Sequence, residues 1–184
     1  METSEAIRTR RTIGRSEGDV PAETIRALIE AATWAPNHKL TEPWRFTVLR
    51  GDARKRLGEI WAQRAAEEID PAKREAFIAG EARKPLRAPI VVAVATCTDA
   101  DPVRAAEDFA ATAAAVENLL LEAHARGLAA GWKTGRITGD AEVKRFLGFD
   151  PTDRIVAMIY LGARASEEPE TRPRAVEPAI TWLD

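Results

Sequence analysis

The sequence predicts a single domain that combines helices with a β-sheet, and three observations support this prediction. The chain has 184 residues, a length typical of one domain. Residues 88–96 form an unbroken apolar and β-branched run, which indicates a strand covered on both faces. Residues 102–126 are rich in alanine and place apolar side chains at helical spacing, which predicts a long central or interface helix ending at Gly127.

The remaining elements follow from local patterns along the chain. A short helix is expected over residues 4–11, and Pro21 suits the first turn of a helix that continues to Trp34. Residues 44–50 alternate between apolar and polar side chains, as a strand does. Helices over residues 53–69, 71–83 and 140–147 and a strand over residues 155–162 complete the prediction. No internal repeat or linker divides the chain, so residues 1–184 are predicted to form one domain.

The composition excludes several classes of function. With 45% hydrophobic and 30% charged residues the chain resembles ordinary globular proteins, and its net charge of -2 gives no electrostatic basis for binding nucleic acid or an anionic membrane. Cys97 is the only cysteine, and the two histidines form no HxxxH pair, so neither a disulfide nor a metal site is expected. The sequence starts without a signal-peptide pattern and contains no long uncharged apolar segment, so we expect a cytoplasmic protein.

Residues 35–46, which read Ala-Pro-Asn-His-Lys-Leu-Thr-Glu-Pro-Trp-Arg-Phe, form the densest group of candidate binding residues. Pro36 and Pro43 disfavour helical conformation in the residues before them, so an ordered loop is expected between a helix and a strand. Polar side chains on a loop with rigid flanks are well placed to bind ligands. The alternative is a connector whose polar side chains are solvated.

Two further motifs carry residue types that bind anions or flat ligands. Arg10-Arg11-Thr12 offers two guanidinium groups that can bind phosphate bidentately, or it is a solvated basic helix end. The segment 131–135 reads Gly-Trp-Lys-Thr-Gly, and its glycines let a ligand approach the backbone, unless Trp132 is a core residue. The sequence contains no GxxxxGK[ST], GxGxxG or GxSxG motif, which argues against a Walker loop, a Rossmann site and a serine hydrolase.

Along the chain the first motif is residues 10–12, the second is the loop of residues 35–46, and the third is residues 131–135. In this order and at these distances, the three motifs resemble the nitroreductase family of FMN-dependent oxidoreductases, in particular its short, single-domain bacterial branch. The resemblance covers nearly the whole chain and ends with Ile-Tyr-Leu-Gly at residues 159–162. It implies an α+β fold with a mixed central sheet flanked by helices, and an intertwined homodimer with FMN sites at the interface.

Residues 163–184 close with Ile180, Trp182 and Leu183, so we expect an extended C-terminal arm docked on the partner subunit.

The resemblance also implies which residues bind FMN. Arg10, Arg11 and Thr12 match the stretch that holds the flavin phosphate and ribityl chain and reaches the pyrimidine edge. His38, with Trp34 and Asn37, matches the loop that reaches the flavin of the partner subunit. The stretch along the other side of the flavin consists here of Trp132, Lys133, Thr134 and Gly135.

Contacts with nicotinamide are implied for the segment Glu122, Ala123, His124, Ala125, Arg126 and Gly127. One departure concerns the phosphate: many family members have Arg two residues after the Ser/Thr of the first motif, and this chain has Gly14 there. Arg15 is a candidate substitute for that cation. Arg172 and Arg174 are the candidates for a second basic phosphate ligand.

The implied function is reduction of nitroaromatic, quinone or similar acceptors with NADH or NADPH by a ping-pong mechanism. Flavin N5 carries the hydride, so no catalytic side chain and no metal is expected; Arg11 or Lys133 stabilises the reduced flavin. Two alternatives remain: a flavin enzyme with another task (dehalogenation, enone reduction or flavin fragmentation) and a flavin-free binding protein of the same fold. The acceptor and the preference between NADH and NADPH stay open, as does whether residues 60–85 form a lid over the site.

Overall fold

A four-stranded sheet with helices on both faces forms the protein in this computed structural model, which describes residues 1–164 and 178–183. The strands lie in the order β1-β2-β4-β3. They are β1 (Trp44–Arg50), β2 (Ile90–Thr96), β3 (Leu128–Lys133) and β4 (Arg154–Ala163). The helices are α1 (Thr3–Thr9), α2 (Ala22–Thr33), α3 (Asp52–Ala65), α4 (Pro71–Ala82), α5 (Pro102–Ala125) and α6 (Ala141–Leu147), with short 3-10 helices at His38–Leu40, Lys84–Arg87 and Arg136–Gly139.

The predicted α+β class is confirmed, and each predicted helix and strand is present with ends shifted by a few residues. The helix α1 ends at Thr9, so Arg10 and Arg11 follow it in a non-helical segment. The strand β3 is an element that the sequence does not predict. Its residues include two alanines and Gly131, which have low strand propensity, and it forms because β4 pairs with it along its length.

The direction of the strands corrects one detail of the expected sheet. All pairings among the four strands of the described chain are antiparallel, whereas the resemblance implies a mixed sheet. The cause is the position of β4. The strands β2 and β3 run in the same direction and are joined by α5, but β4 lies between them and is antiparallel to both, so no parallel neighbours arise among the described strands.

Both faces of β2 are buried, as the sequence predicts. Ile90, Val92 and Val94 face a core shared with α2 and α5. Val91 and Ala93 face a second core that contains residues of α3 and α6. Burial on both faces explains why this strand is a continuous apolar run and does not alternate.

The predicted C-terminal arm is described only in part. Residues 165–177, which include Arg172 and Arg174, lie outside the described residues. In residues 178–183 the side chains of Ile180, Trp182 and Leu183 are exposed in the single chain, so docking on a partner subunit remains a prediction. Within the described parts of the chain, no helix is both long enough and apolar enough to span a bilayer.

Helices α3 and α4 approach closely at Gly58, where a Cβ would lie 2.2 Å from the carbonyl oxygen of Ala82. We expect Gly58→Ala to lower the free energy of unfolding by about 1–3 kcal/mol, because the two helices must separate. Gly80→Ala, also in this helix pair, is the matched control, since a Cβ there meets no atom within 4 Å. Helix propensity predicts that this control raises the free energy of unfolding by up to about 1 kcal/mol. Urea denaturation measures both, and equal effects would contradict the packing argument.

Candidate functional site

The first sequence motif (residues 10–12) and the third (residues 131–135) are in direct contact. The backbone N–H of Ile13 donates to the carbonyl oxygen of Ala130 on β3 at 3.1 Å. A Cβ at Gly131 would lie 2.6 Å from the carbonyl oxygen of Ile13 and 3.3 Å from the methyl group of Thr12. Glycine at position 131 is therefore what lets the segment after α1 lie against β3.

The guanidinium groups of the first motif are held in place by partners within the chain. Arg10 Nε forms an ion pair with Glu117 Oε1 of α5 at 3.1 Å. Arg11 Nη1 donates to the carbonyl oxygens of Arg8 and Arg10, at 2.7 Å each. Because a guanidinium has five N–H donors, both side chains keep donors for an anion, and Thr12 beside them is exposed.

In the third motif, Trp132 is anchored and the following residues are accessible. The indole Nε1 of Trp132 donates to the carbonyl oxygen of Val156 at 3.1 Å, and the half-buried ring packs against the core beneath α5. This contact supports the core role that the sequence left open for Trp132. Lys133 is half-buried at the end of β3, and Thr134 and Gly135 are exposed.

His124, near the end of α5, is buried and links three elements. Its Nε2 lies 2.7 Å from Thr9 Oγ1, which itself donates to the carbonyl oxygen of Glu5. Its Nδ1 lies 2.9 Å from Arg164 Nη2, which can only donate. This pattern assigns a neutral imidazole with its proton on Nε2. Burial, followed by the charges of Arg164, Arg10 and Arg11, lowers the pKa of His124 below its usual 6.5, while Glu5 acts in the opposite direction.

Only part of the segment expected to contact nicotinamide is accessible in the single chain. Ala123 and His124 are buried, whereas Ala125, Arg126 and Gly127 are exposed. Glu122 is half-buried and forms an ion pair with Arg126 at 2.7 Å. The exposed end of this segment, residues 125–127, directly follows His124. It therefore lies at the end of α5 that contacts α1.

The loop after α2 contains an unusual backbone conformation. Lys39, Leu40 and Glu42 all have positive φ, at 55°, 53° and 44°. For non-glycine residues this left-handed conformation costs about 1–2 kcal/mol each, so it persists only where other contacts hold it. Such strain is concentrated at ligand-binding sites, which supports the prediction that the loop binds a ligand.

Two polar side chains hold this loop. Asn37 Oδ1 accepts from the backbone N–H of Glu42 at 3.0 Å, across the strained residues. Thr41 Oγ1 donates to Asp108 Oδ1 at 2.7 Å, and the Asp108 side chain is only 6% exposed on α5. The loop presents Trp34 and Leu40 to solvent, each 80% exposed.

The loop is attached to α5 at a different place from the other motifs. From Asp108, which binds the loop, to Glu117, which binds Arg10, the helix rises about 14 Å. In residues 1–164 and 178–183, no hydrogen bond joins the loop to Arg10–Thr12 or to Trp132–Thr134. Within one chain the structure therefore brings together the first motif, the third motif and the end of α5, but not the loop.

A cavity of about 790 Å³ lies beside the third motif. Its walls come from α3 and α4, with Trp61 and Phe77 as the aromatic side chains, and from the exposed Thr134 and Gly135. Residues 60–85, whose role the sequence left open, thus form one side of a cavity that opens next to predicted flavin contacts. The indole of Trp61 is fixed by a 3.2 Å hydrogen bond from Nε1 to Glu81 Oε2.

Sequence reasoning did not identify Glu117, Asp108 or Arg164, although each of them positions a predicted site residue or segment. A signal was present for Asp108, because it lies one turn before Thr112 on a buried helix face that is mostly apolar. A carboxylate on such a face requires a partner. Glu117 and Arg164 carry no comparable signal, since charged residues at half-buried positions are common.

Comparison with known proteins shows the family of this chain. The model of the Nitroreductase family matches residues 7–163. The chain belongs to the nitroreductase family. This confirms the resemblance drawn from the three motifs.

Members of the family align with this nitroreductase-family chain along most of its length. The Bacillus subtilis protein YfhC, named as an inferred NAD(P)H nitroreductase, is 31% identical over 174 residues, covering 91% of this chain and 87% of YfhC. A nitroreductase-like protein from Bacillus cereus superimposes with a TM-score of 0.82 at 27% identity, covering 96% of this chain and 92% of the other. A nitroreductase from Bacteroides fragilis with bound FMN gives a TM-score of 0.78 at 25% identity, covering 98% and 99%.

We expect Thr41→Val to loosen the strained loop of this nitroreductase-family protein. The substitution leaves the buried Asp108 carboxylate without its hydroxyl donor, which should lower the free energy of unfolding by about 1–3 kcal/mol. Thr41→Ser keeps the hydroxyl and is the matched control. Chemical denaturation gives the stability, and hydrogen exchange of residues 37–42 reports the loop. Unchanged exchange in the valine variant would contradict the anchoring role of Asp108.

Acidification is expected to destabilise the protein through His124. In the unfolded chain the imidazole has a pKa of about 6.5, and in the folded chain the pKa is lower, so the unfolded chain binds the proton more readily. The contribution of the neutral imidazole is therefore fully present above about pH 6.5 and declines as the pH falls below that value.

Urea denaturation at about pH 7.5 and about pH 5.5 tests this dependence. The loss of stability between the two values should be smaller in His124→Gln than in the wild type. His38→Gln, which removes an exposed imidazole, should retain the wild-type loss. Equal losses in the wild type and His124→Gln would show that His124 does not titrate as its contacts indicate.

Proposed function

We propose that this chain is an FMN-dependent oxidoreductase that takes reducing equivalents from NADH or NADPH and transfers them to nitroaromatic, quinone or similar acceptors. The observation that carries the proposal is the contact between Ile13 and Ala130. It aligns the Arg10–Thr12 segment with the strand that ends in Lys133. A basic, hydroxyl-bearing segment and a strand ending in a cation thus line one surface, in a family that includes an FMN-bound member.

The donor groups present fit FMN. Its phosphate is a dianion, for which Arg10 and the Thr12 hydroxyl are suitable partners. When bound, FMN supplies the redox chemistry by accepting hydride at N5 and passing it to the acceptor. Arg11 and Lys133 would provide positive charge near the pyrimidine edge, where negative charge accumulates on reduction, in a site that is partly shielded from water.

The strained loop supports a homodimer as the working unit. Trp34, His38 and Leu40 are exposed in the single chain, and the loop is attached to α5 away from Arg10. A large exposed aromatic on a rigidly held loop is typical of an interface. In the proposed dimer these residues complete the flavin site of the partner subunit, with Asn37 maintaining the loop conformation.

The cavity beside Thr134 is the proposed place for the acceptor. Its aromatic walls, Trp61 and Phe77, suit a flat ring, and its volume of about 790 Å³ is sufficient for a small aromatic molecule. We propose that nicotinamide leaves before the acceptor binds, which is a ping-pong sequence. Parallel double-reciprocal lines in steady-state assays with varied NADPH and a nitroaromatic are then expected, and intersecting lines would argue for a ternary complex.

The first test is an absorbance spectrum of the purified protein, followed by heat release and chromatography of the ligand. Release of FMN at about one per subunit is the expected result, and light scattering should give the mass of a dimer. A colourless protein that also fails to bind added FMN would exclude the proposed activity.

Substitution of Arg10 tests the placement of the cofactor. We expect Arg10→Ala to weaken FMN binding by about 1.5–3 kcal/mol, or roughly ten- to a hundredfold in Kd, because a charge-assisted contact is lost. Arg26→Ala on the exposed face of α2 is the control. Fluorescence titration of the apoprotein with FMN measures both, and wild-type affinity in Arg10→Ala would show that the phosphate lies elsewhere.

A further inference from the structure

A second basic site lies next to the first motif, in a cleft of about 830 Å³ between residues 14–15 and the region after α4. Its lining consists of Gly14, Arg15, Gly80, Arg83, Leu86 and Arg87. Three of these six residues carry a guanidinium group and none is acidic. Apart from Arg15, the candidate substitute for a cation at the flavin phosphate, the cleft shares no residue with the predicted flavin contacts, and it shares none with the cavity beside Thr134.

No ion pair neutralises the three arginines of the cleft among the described residues. Arg15, Arg83 and Arg87 are exposed, and among residues 1–164 and 178–183 none of them forms an ion pair. Nearby cations are paired: Arg10 with Glu117 and Lys84 with Glu81. Like charges that line one cleft repel each other, so an anion bound between them is stabilised.

The backbone of the cleft is fixed by contacts beneath it. The N–H of Ser16 donates to the carbonyl oxygen of Arg87 at 3.0 Å, which ties the segment carrying Arg15 to the segment carrying Arg87. The side chain of Ser16 is buried against Gly162 of β4, where a Cβ would lie 2.6 Å from Ser16 Oγ. The two basic segments are therefore held at a set separation by the sheet.

Two glycines leave the cleft open. A Cβ at Gly14 or at Gly80 would meet no atom within 4 Å, so both positions face open space rather than packed neighbours. The absence of side chains there lets a ligand approach the backbone between the arginines. The cleft thus combines positive charge with open space, as a site for a tetrahedral oxyanion requires.

We propose that this cleft binds a phosphomonoester dianion. Guanidinium groups bind phosphate bidentately, and three of them without counter-charges favour a dianion over a carboxylate. The inference rests on the proposed function for its two sources of such a group, the terminal phosphate of FMN and the 2′-phosphate of NADPH. If the bound group is the FMN phosphate, the cleft supplies the positive charge that Gly14 does not provide. If it is the 2′-phosphate of NADPH, the cleft makes the enzyme select NADPH over NADH.

The double variant Arg83→Gln/Arg87→Gln removes two charges and keeps a polar side chain at each position. Each ligand is compared with its phosphate-free counterpart: FMN with riboflavin in titrations of the apoprotein, and NADPH with NADH in KM measurements. We expect a loss of roughly tenfold or more for one phosphate-bearing ligand and no change for its counterpart. Arg15→Gln should act in the same direction, and Arg26→Gln outside the cleft should have no effect.

The outcomes distinguish the two sources of the phosphate group, FMN and NADPH. They also distinguish failure of the cleft proposal from failure of the proposed function. A loss confined to FMN assigns the cleft to the cofactor phosphate, and a loss confined to NADPH assigns it to the 2′-phosphate. Equal affinities of the wild type and the double variant for all four ligands would overturn the proposal. If the wild type binds no FMN, the proposed function fails, and calorimetry with 2′-AMP and adenosine then tests the cleft directly: preference of the wild type for 2′-AMP supports it, and no binding overturns it.

Discussion

The backbone contact between Ile13 and Ala130 is the interaction on which the candidate site depends. It adds the segment after α1 to β3, an edge strand that pairs with β4 alone among the described strands. Edge strands carry unpaired backbone groups that accept another segment readily. The contact also requires Gly131, because any larger residue would push the carbonyl group of Ile13 away. A residue that weakens the strand thus makes the site possible.

The helix α5 determines where the other parts of the site lie. Three of its polar side chains each hold a different segment: Asp108 holds the loop, Glu117 holds Arg10, and His124 holds α1. A buried polar group is costly unless it is hydrogen-bonded, so the buried Asp108 and His124 each favour one arrangement of the segment they bind. Because a helix is rigid over this length, the distances between the attached segments are fixed as well.

Much of the fold follows from the sequence, because its strongest signals are periodic and apolar. The burial of β2 on both faces and the length of α5 are visible in the residues that form them. The strand β3 is not, because alanine and glycine give no local preference and its conformation comes from pairing with β4. The left-handed conformation of Lys39, Leu40 and Glu42 is equally invisible, because these residue types do not favour it and remote contacts impose it.

The candidate site was predictable in its residue types but not in its geometry. The sequence identifies the motif at residues 10–12 and the motif at residues 131–135, and the contact between them depends on strand pairing that no local pattern encodes. The same holds for the basic cleft, whose arginines are separated by almost seventy residues between Arg15 and Arg83. Charged residues at isolated positions look like ordinary surface until the fold places them around one opening.

The position of β4 between β2 and β3 has a consequence for the order in which the protein is made. When α5 and β3 leave the ribosome, β3 has no partner among the described strands, because β4, which pairs with it, is the last of them to be synthesised. The contact of Ile13 with β3 spans most of the chain, and such long-range pairing forms slowly because the loop between its ends must close first. We therefore expect the candidate site to assemble after translation of residues 154–163, because a nascent chain without them has the motifs but lacks the strand that pairs with β3.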